Sequence, residues 1–144
     1  MFSSIVVGTD GSETADRAFT RALEMARLTG ARLHVVSAYA PTPARLTGGA
    51  PATEAAEWSV GPDFEVQAVL DRAEGRARGE DVDIEDHALK GDPADAIIAI
   101  AAETDADLIV LGSRGMQGAR RVLGSVPNKV SHRAPCDVLI VQTA

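Results

Sequence analysis

At 144 residues the chain has the length of one domain, spanning 1–144, and can bury a core that stands without a disulfide or a metal. Its 45% apolar and 24% charged residues exclude wholesale disorder, and a net charge of −7 with five aromatic side chains (three Phe, one Tyr, one Trp) argues against general nucleic-acid binding. A single cysteine, Cys136, excludes an intrachain disulfide and a multi-cysteine zinc site. No run approaches the ~18 apolar residues of a membrane span. Residues 1–7 lack the basic region and long apolar stretch of a secretory signal, so a cytoplasmic protein with no membrane partner is expected.

Along the chain, strand and helix periods alternate. Ile5-Val6-Val7-Gly8 is a short apolar run stopped by Thr9-Asp10-Gly11-Ser12. From Glu13 to Thr29 the positions Ala15, Ala18, Phe19, Ala22, Leu23 and Ala26 form the stripe of an amphipathic helix, and Gly30 stands where a C-terminal glycine belongs. Leu33–Ala38 reads as a second strand. Residues 40–62 are punctuated by Pro41, Pro43, Gly48-Gly49, Pro51 and Gly61-Pro62 and read as a long surface loop. Val66, Val69, Leu70, Ala73 and Ala77 predict a second helix, and Val82–Leu89 a strand exposed on one side.

Asp92-Pro93 opens a third helix, with Asp as its cap and Pro in the first turn, and Ala94, Ile97, Ile98 and Ala101 as its stripe. Asp107–Gly112 is a continuous apolar strand of the kind buried on both faces of a parallel sheet. A glycine-rich stretch, a short helix around Val126–Ala134 and the strand Val138–Val141 complete the order β-α-β-α-β-α-β-α-β. No strand pair is close enough for a hairpin, which implies an α/β fold with an open five-stranded parallel sheet and helices on both faces. Ligands of such sheets bind beyond the carboxyl ends of the strands, where the strand order reverses.

The loops after the strands therefore carry the chemistry. Between Gly112 and Ser125 there are four glycines in 14 residues, which let backbone N–H groups approach a ligand closely. Gly124-Ser125 precedes a helix whose N-terminus is a natural phosphate seat, and Ser125 can either cap that helix or donate its hydroxyl to a phosphate oxygen. Arg114, Arg120 and Arg121 gather cations in an otherwise acidic chain, which points to an anionic ligand. Asp10 would repel phosphate. It is suited to accept from an exocyclic amino group or a ribose hydroxyl, or to help hold a magnesium ion.

Together the two loops describe a nucleotide site, although neither a P-loop nor a Gly-x-Gly-x-x-Gly fingerprint is present. Cys136 precedes a core strand and reads as structural. His34, His87 and His132 lie far apart in sequence on different elements, so no metal site is expected. No catalytic residue stands out, since no nucleophile elbow or evident general base is present.

Ile5-Val6-Val7-Gly8-Thr9-Asp10-Gly11-Ser12, the Gly112-x-x-Gly115 loop and Gly124-Ser125 ahead of a short helix and Val138–Val141 resemble the universal stress protein family, over essentially the whole chain. The resemblance implies a flavodoxin-like sheet of order 3-2-1-4-5, a homodimer and, in one branch, ATP binding marked by Gly-x2-Gly-x9-Gly-[Ser/Thr]. On that pattern Gly112, Gly115, Gly124 and Ser125 take the ribose and phosphate roles, with Val126 beside them and Arg114 in the loop. Thr9, Asp10 and Ala38 flank the adenine.

The spacer 116–123 has eight residues rather than nine. Some family members bind cyclic AMP instead of ATP, and either ligand is compatible with this sequence. The expected function is a stress-response regulatory module binding an adenine nucleotide, ATP with or without Mg2+ in first place and cyclic AMP in second, with at most slow hydrolysis. The alternative is a dimeric interaction module with a vestigial nucleotide loop. The apolar last strand, left at a sheet edge, is the expected dimer contact.

Overall fold

The structure is a computed structural model that describes residues 2–39, 64–113 and 123–143. Within them the elements alternate as β1 (Ser4–Gly8), α1 (Glu13–Thr29), β2 (Arg32–Tyr39), α2 (Phe64–Gly79), β3 (Ile84–Lys90), α3 (Pro93–Glu103), β4 (Leu108–Gly112), α4 (Ser125–Arg133) and β5 (Asp137–Val141). The proposed 40–62 loop, with Arg114 and Gly115, lies outside the described residues. All strand pairs are parallel, in the order β3-β2-β1-β4-β5. The expected flavodoxin-like topology is thus the observed one.

Each strand carries side chains to both faces, and among the described residues each face is covered by two helices. On one face Ile5, Val7, Leu33, Val35, Leu108 and Val110 pack beneath α1 and α2. On the other, Val6, Val36, Ile109 and Leu111 pack beneath α3 and α4. The central strands β1 and β4 are therefore apolar at every buried position, as continuous runs in a doubly covered parallel sheet must be.

Local chemistry explains the helix limits. Ser12 caps α1 by accepting from the Ala15 N–H at 3.1 Å, and Gly30 ends it in a left-handed conformation, φ 75°. Asp92 caps α3 by accepting from the Asp95 N–H, with Pro93 in the first turn. Two expectations need correction. The buried stripe of α3 runs through Ile100, while Ile98 is only half-buried, because the apolar run Ala96–Ala102 leaves the phase of the helix to the surface it meets. β3 is half-buried along most of its length rather than exposed on one side, since Ile84 and Ala88 pack against one helical layer and Leu89 against the other.

Candidate functional site

The strand order dictates where a site can form. From β1 the chain winds outward through β2 to β3, then returns to β4 on the other side of β1. The connection after β1 therefore leads to α1 on one face of the sheet, and the connection after β4 leads to α4 on the opposite face. Between the two diverging connections a crevice opens at the carboxyl edge of the sheet.

A cleft of about 130 Å3 occupies that position. Its floor is formed by Gly8 at the end of β1 with Thr9 and Asp10 after it, Val36 and Ala38 on β2, and Leu111 and Gly112 on β4. One wall comes from Pro93 and Ile97 of α3 with Val126 and Pro127 of α4. Of the residues expected at the site, Thr9, Asp10, Ala38, Gly112 and Val126 line this cleft. Gly124 and Ser125 immediately precede its wall at the start of α4.

The turn after β1 is built from its own side chains. The Thr9 N–H donates to the Val36 carbonyl at 2.9 Å, which extends the β1–β2 ladder one residue past the strand. Thr9 Oγ1 accepts from the Gly11 N–H at 3.1 Å, and Asp10 Oδ1 accepts from the Ser12 N–H at 2.9 Å. Asp10 is exposed and fixed in direction by this turn. Among the described residues that line the cleft it is the one ionisable side chain. The remaining lining is largely apolar, so the cleft offers flat contact surface with a carboxylate at its margin.

At the other margin lies the start of α4. Its N-cap is Gly124, and no side-chain hydrogen bond closes the helix. The first alternative for Ser125, as the helix cap, is thereby corrected: it is the first helical residue and exposed, one position too late for its side chain to cap. Helix geometry leaves the N–H groups of Ser125 and Val126 without intrahelical acceptors. Lys129, in the second turn of α4, binds Asp92 at 3.2 Å and Asp95 at 2.9 Å and so ties α4 to the start of α3. The Asp95 N–H and then the Lys129 ammonium hold the Asp92 carboxyl below its ordinary pKa, and Asp95 and Asp92 raise that of Lys129.

Sequence patterns missed several supporting residues. Pro93 and Ile97 read only as the opening and core stripe of a helix, since periodicity does not separate a core contact from a pocket wall. Ser113 is buried at the root of the glycine-rich connection. Its N–H donates to the Val141 carbonyl at 2.9 Å, and its hydroxyl accepts from the Thr143 N–H at 3.1 Å. Nothing local in the sequence marks this anchor. Cys136 is half-buried against the layer of α3 and α4, and burial pushes its thiol pKa up, as a structural cysteine requires.

The parallel 3-2-1-4-5 sheet defines a flavodoxin-like α/β protein, and the cleft at its reversal point is its candidate site at the carboxyl edge. The model of the universal stress protein family matches residues 1–142, and the chain belongs to that family. It is 38% identical to a universal stress protein of Mycobacterium tuberculosis, covering 99% of this chain and 97% of that protein. Among solved structures, it is similar to a universal stress protein in complex with cAMP, at 36% identity and a TM-score of 0.75, covering 99% and 98% of the two chains. It is also similar to a universal stress protein from Archaeoglobus fulgidus in complex with dAMP, at 29% identity and a TM-score of 0.69, covering 96% of each.

Proposed function

We propose that the chain is a regulatory binding protein whose cleft holds an adenine nucleotide. One observation carries the reading: a largely apolar cleft with a fixed carboxylate at one margin and a helix start without a side-chain cap at the other. A purine has apolar faces and a polar edge. Val36, Ala38, Ile97 and Leu111 suit the faces, and Asp10 suits an exocyclic amino group or a ribose hydroxyl. The N–H groups of Ser125 and Val126, at the positive end of the α4 dipole, suit a phosphate.

Two ligands compete for this site. ATP, with Mg2+, is favoured by the Gly112, Gly115, Gly124 and Ser125 pattern, in which Arg114 lies beside the second glycine. Cyclic AMP is favoured by the similarity to the cAMP-bound relative and by the eight-residue spacer, which departs from the ATP pattern. Mass spectrometry of nucleotide released by denaturing freshly purified protein should find an adenine nucleotide. Calorimetric titration of emptied protein with ATP and Mg2+, and separately with cyclic AMP, ranks the two. If no nucleotide is retained and neither titrant binds at millimolar concentration, the loop is vestigial and the interaction-module reading replaces this one.

A further inference from the structure

His34 and His87 are separated by 53 residues, but the sheet brings them together. In the β2–β3 register His34 stands opposite Glu85 and Val36 opposite His87, so the three side chains lie on one face of two neighbouring strands. That face is the one α3 and α4 cover, and position 34 stands beside Val6 of the core. His34 is itself 4% exposed. Between aliphatic Val6 on one side and Glu85 on the other, a buried polar ring is costly unless it is satisfied.

The three groups converge on one point. His34 Nδ1 lies 3.0 Å from His87 Nε2, and Glu85 Oε2 lies 3.5 Å from the first nitrogen and 3.8 Å from the second. Bond lengths of about 2.0–2.2 Å from a zinc ion to imidazole nitrogen or carboxylate oxygen place ligand atoms roughly 3.3–3.5 Å apart at tetrahedral angles. The observed triangle has edges on either side of that spacing. Without a cation the two rings share one hydrogen bond, one nitrogen donating and the other accepting. A cation at the centre uses all three acceptors.

We propose that His34, Glu85 and His87 form a binding site for a divalent transition-metal cation of the zinc class. Two imidazoles and one carboxylate are the donors such borderline ions take, and three protein ligands leave a fourth position for water. Glu85 is about half exposed and His87 partly exposed, so the ion enters from the open side of β3, the outermost strand of the sheet. Burial first, and then the neighbouring His87, lower the His34 pKa from its ordinary value. The site adjoins the nucleotide cleft without sharing a residue with it, and the inference does not depend on the nucleotide reading.

The test uses full-length, tag-free protein stripped with a chelator and then titrated calorimetrically with Zn2+ alone. One equivalent should bind and raise the thermal midpoint, because a ligand selective for the folded state stabilises it. His34→Ala empties a core position and risks unfolding the chain, so the informative variants are His87→Ala and Glu85→Gln, each confirmed as folded by circular dichroism. Either should weaken Zn2+ binding at least about tenfold, since disturbing even the supporting partner of a ligand costs about 10–100-fold. His132→Ala, exposed on α4, should bind as the parent does.

Cobalt substitution gives an independent readout: tetrahedral Co2+ absorbs visibly, and that absorption should fade in His87→Ala. No stoichiometric Zn2+ binding by the parent would identify the pair as a hydrogen-bonded core contact and overturn the proposal. So would unchanged affinity in folded His87→Ala and Glu85→Gln, or loss of binding in His132→Ala.

Discussion

Gly11 and Gly30 both hold left-handed backbone, with φ of 81° and 75°, yet their surroundings differ. A Cβ on Gly30 would meet nothing within 4 Å, whereas one on Gly11 would lie 2.5 Å from Val69 Cγ2. Val69 is β-branched and stiff in a helix, so relief requires α2 itself to move. Gly30→Ala should therefore cost about 1–2 kcal/mol, the conformational term alone. Gly11→Ala should cost a further 1–3 kcal/mol or so from overpacking. Urea denaturation of the two variants measures the difference, and equal losses would show that α2 yields freely.

Gly8 poses a different problem. Its backbone is ordinary, but a Cβ there would stand 2.5 Å from Ile97 Cδ1 and 3.3 Å from Leu111 Cδ2, both of them cleft-lining side chains. Gly8→Val should push Ile97 into the cleft and reduce adenine-nucleotide affinity about tenfold or more, the equivalent of roughly 1.4 kcal/mol. Calorimetric titration of the folded variant checks this, and undiminished affinity would place the ligand elsewhere.

At the level of elements, the edge of the sheet opposite the site is held by one carboxylate. Asp107, just before β4, accepts from the Ser3 N–H at 2.7 Å, the Ser4 N–H at 2.9 Å and the Ser3 hydroxyl at 2.9 Å, all on Oδ2. It thereby joins the start of β4 to the start of β1, the two strands between which the order reverses. Those donors, the Ser3 N–H first, hold its pKa below the ordinary 3.8. Because the folded value is the lower one, the contribution is complete above the unfolded pKa and disappears as pH falls through the folded pKa. Asp107→Ala should lower the urea midpoint at pH 7, and its deficit against the parent should shrink on acidification below about pH 4. A deficit that stays constant down to pH 2 would mean that the side chain acts by packing rather than by charge.

For the molecule as a whole, the two outer strands are not equivalent. β3 is lined by Glu85, Asp86, His87 and Lys90, whereas β5 presents Val138, Leu139 and Ile140, each only half-buried. Val138 and Leu139 pack against the two core layers, and Ile140 belongs to neither. An apolar outer strand with open backbone groups is a template for pairing with another chain. We expect a homodimer formed through β5. Sedimentation velocity at micromolar concentration should show it, and Ile140→Lys, which guards the edge with a charge, should shift it toward monomer. A parent protein that stays monomeric as its concentration is raised would remove β5 from consideration.

Sequence alone determined the features that rest on local rules. The stripe Ala15–Ala26 set the face of α1, Ser12 and Gly30 set its ends, and Asp92-Pro93 set the start of α3, because caps and helical periodicity act over a few residues. Apolar runs such as Leu108–Leu111 required a parallel sheet covered on both sides. The loops that could bear a ligand followed from Thr9-Asp10 and Gly124-Ser125 with no knowledge of their spacing in space. Tertiary structure alone decided what depends on register and packing between distant segments. It placed Pro93 and Ile97 in the cleft wall, buried Ser113 against Thr143, and set His34 3.0 Å from His87 across 53 residues. Strand pairing is chosen by the whole hydrophobic pattern and by closure of the sheet. No local signal therefore announces which side chains will meet across it.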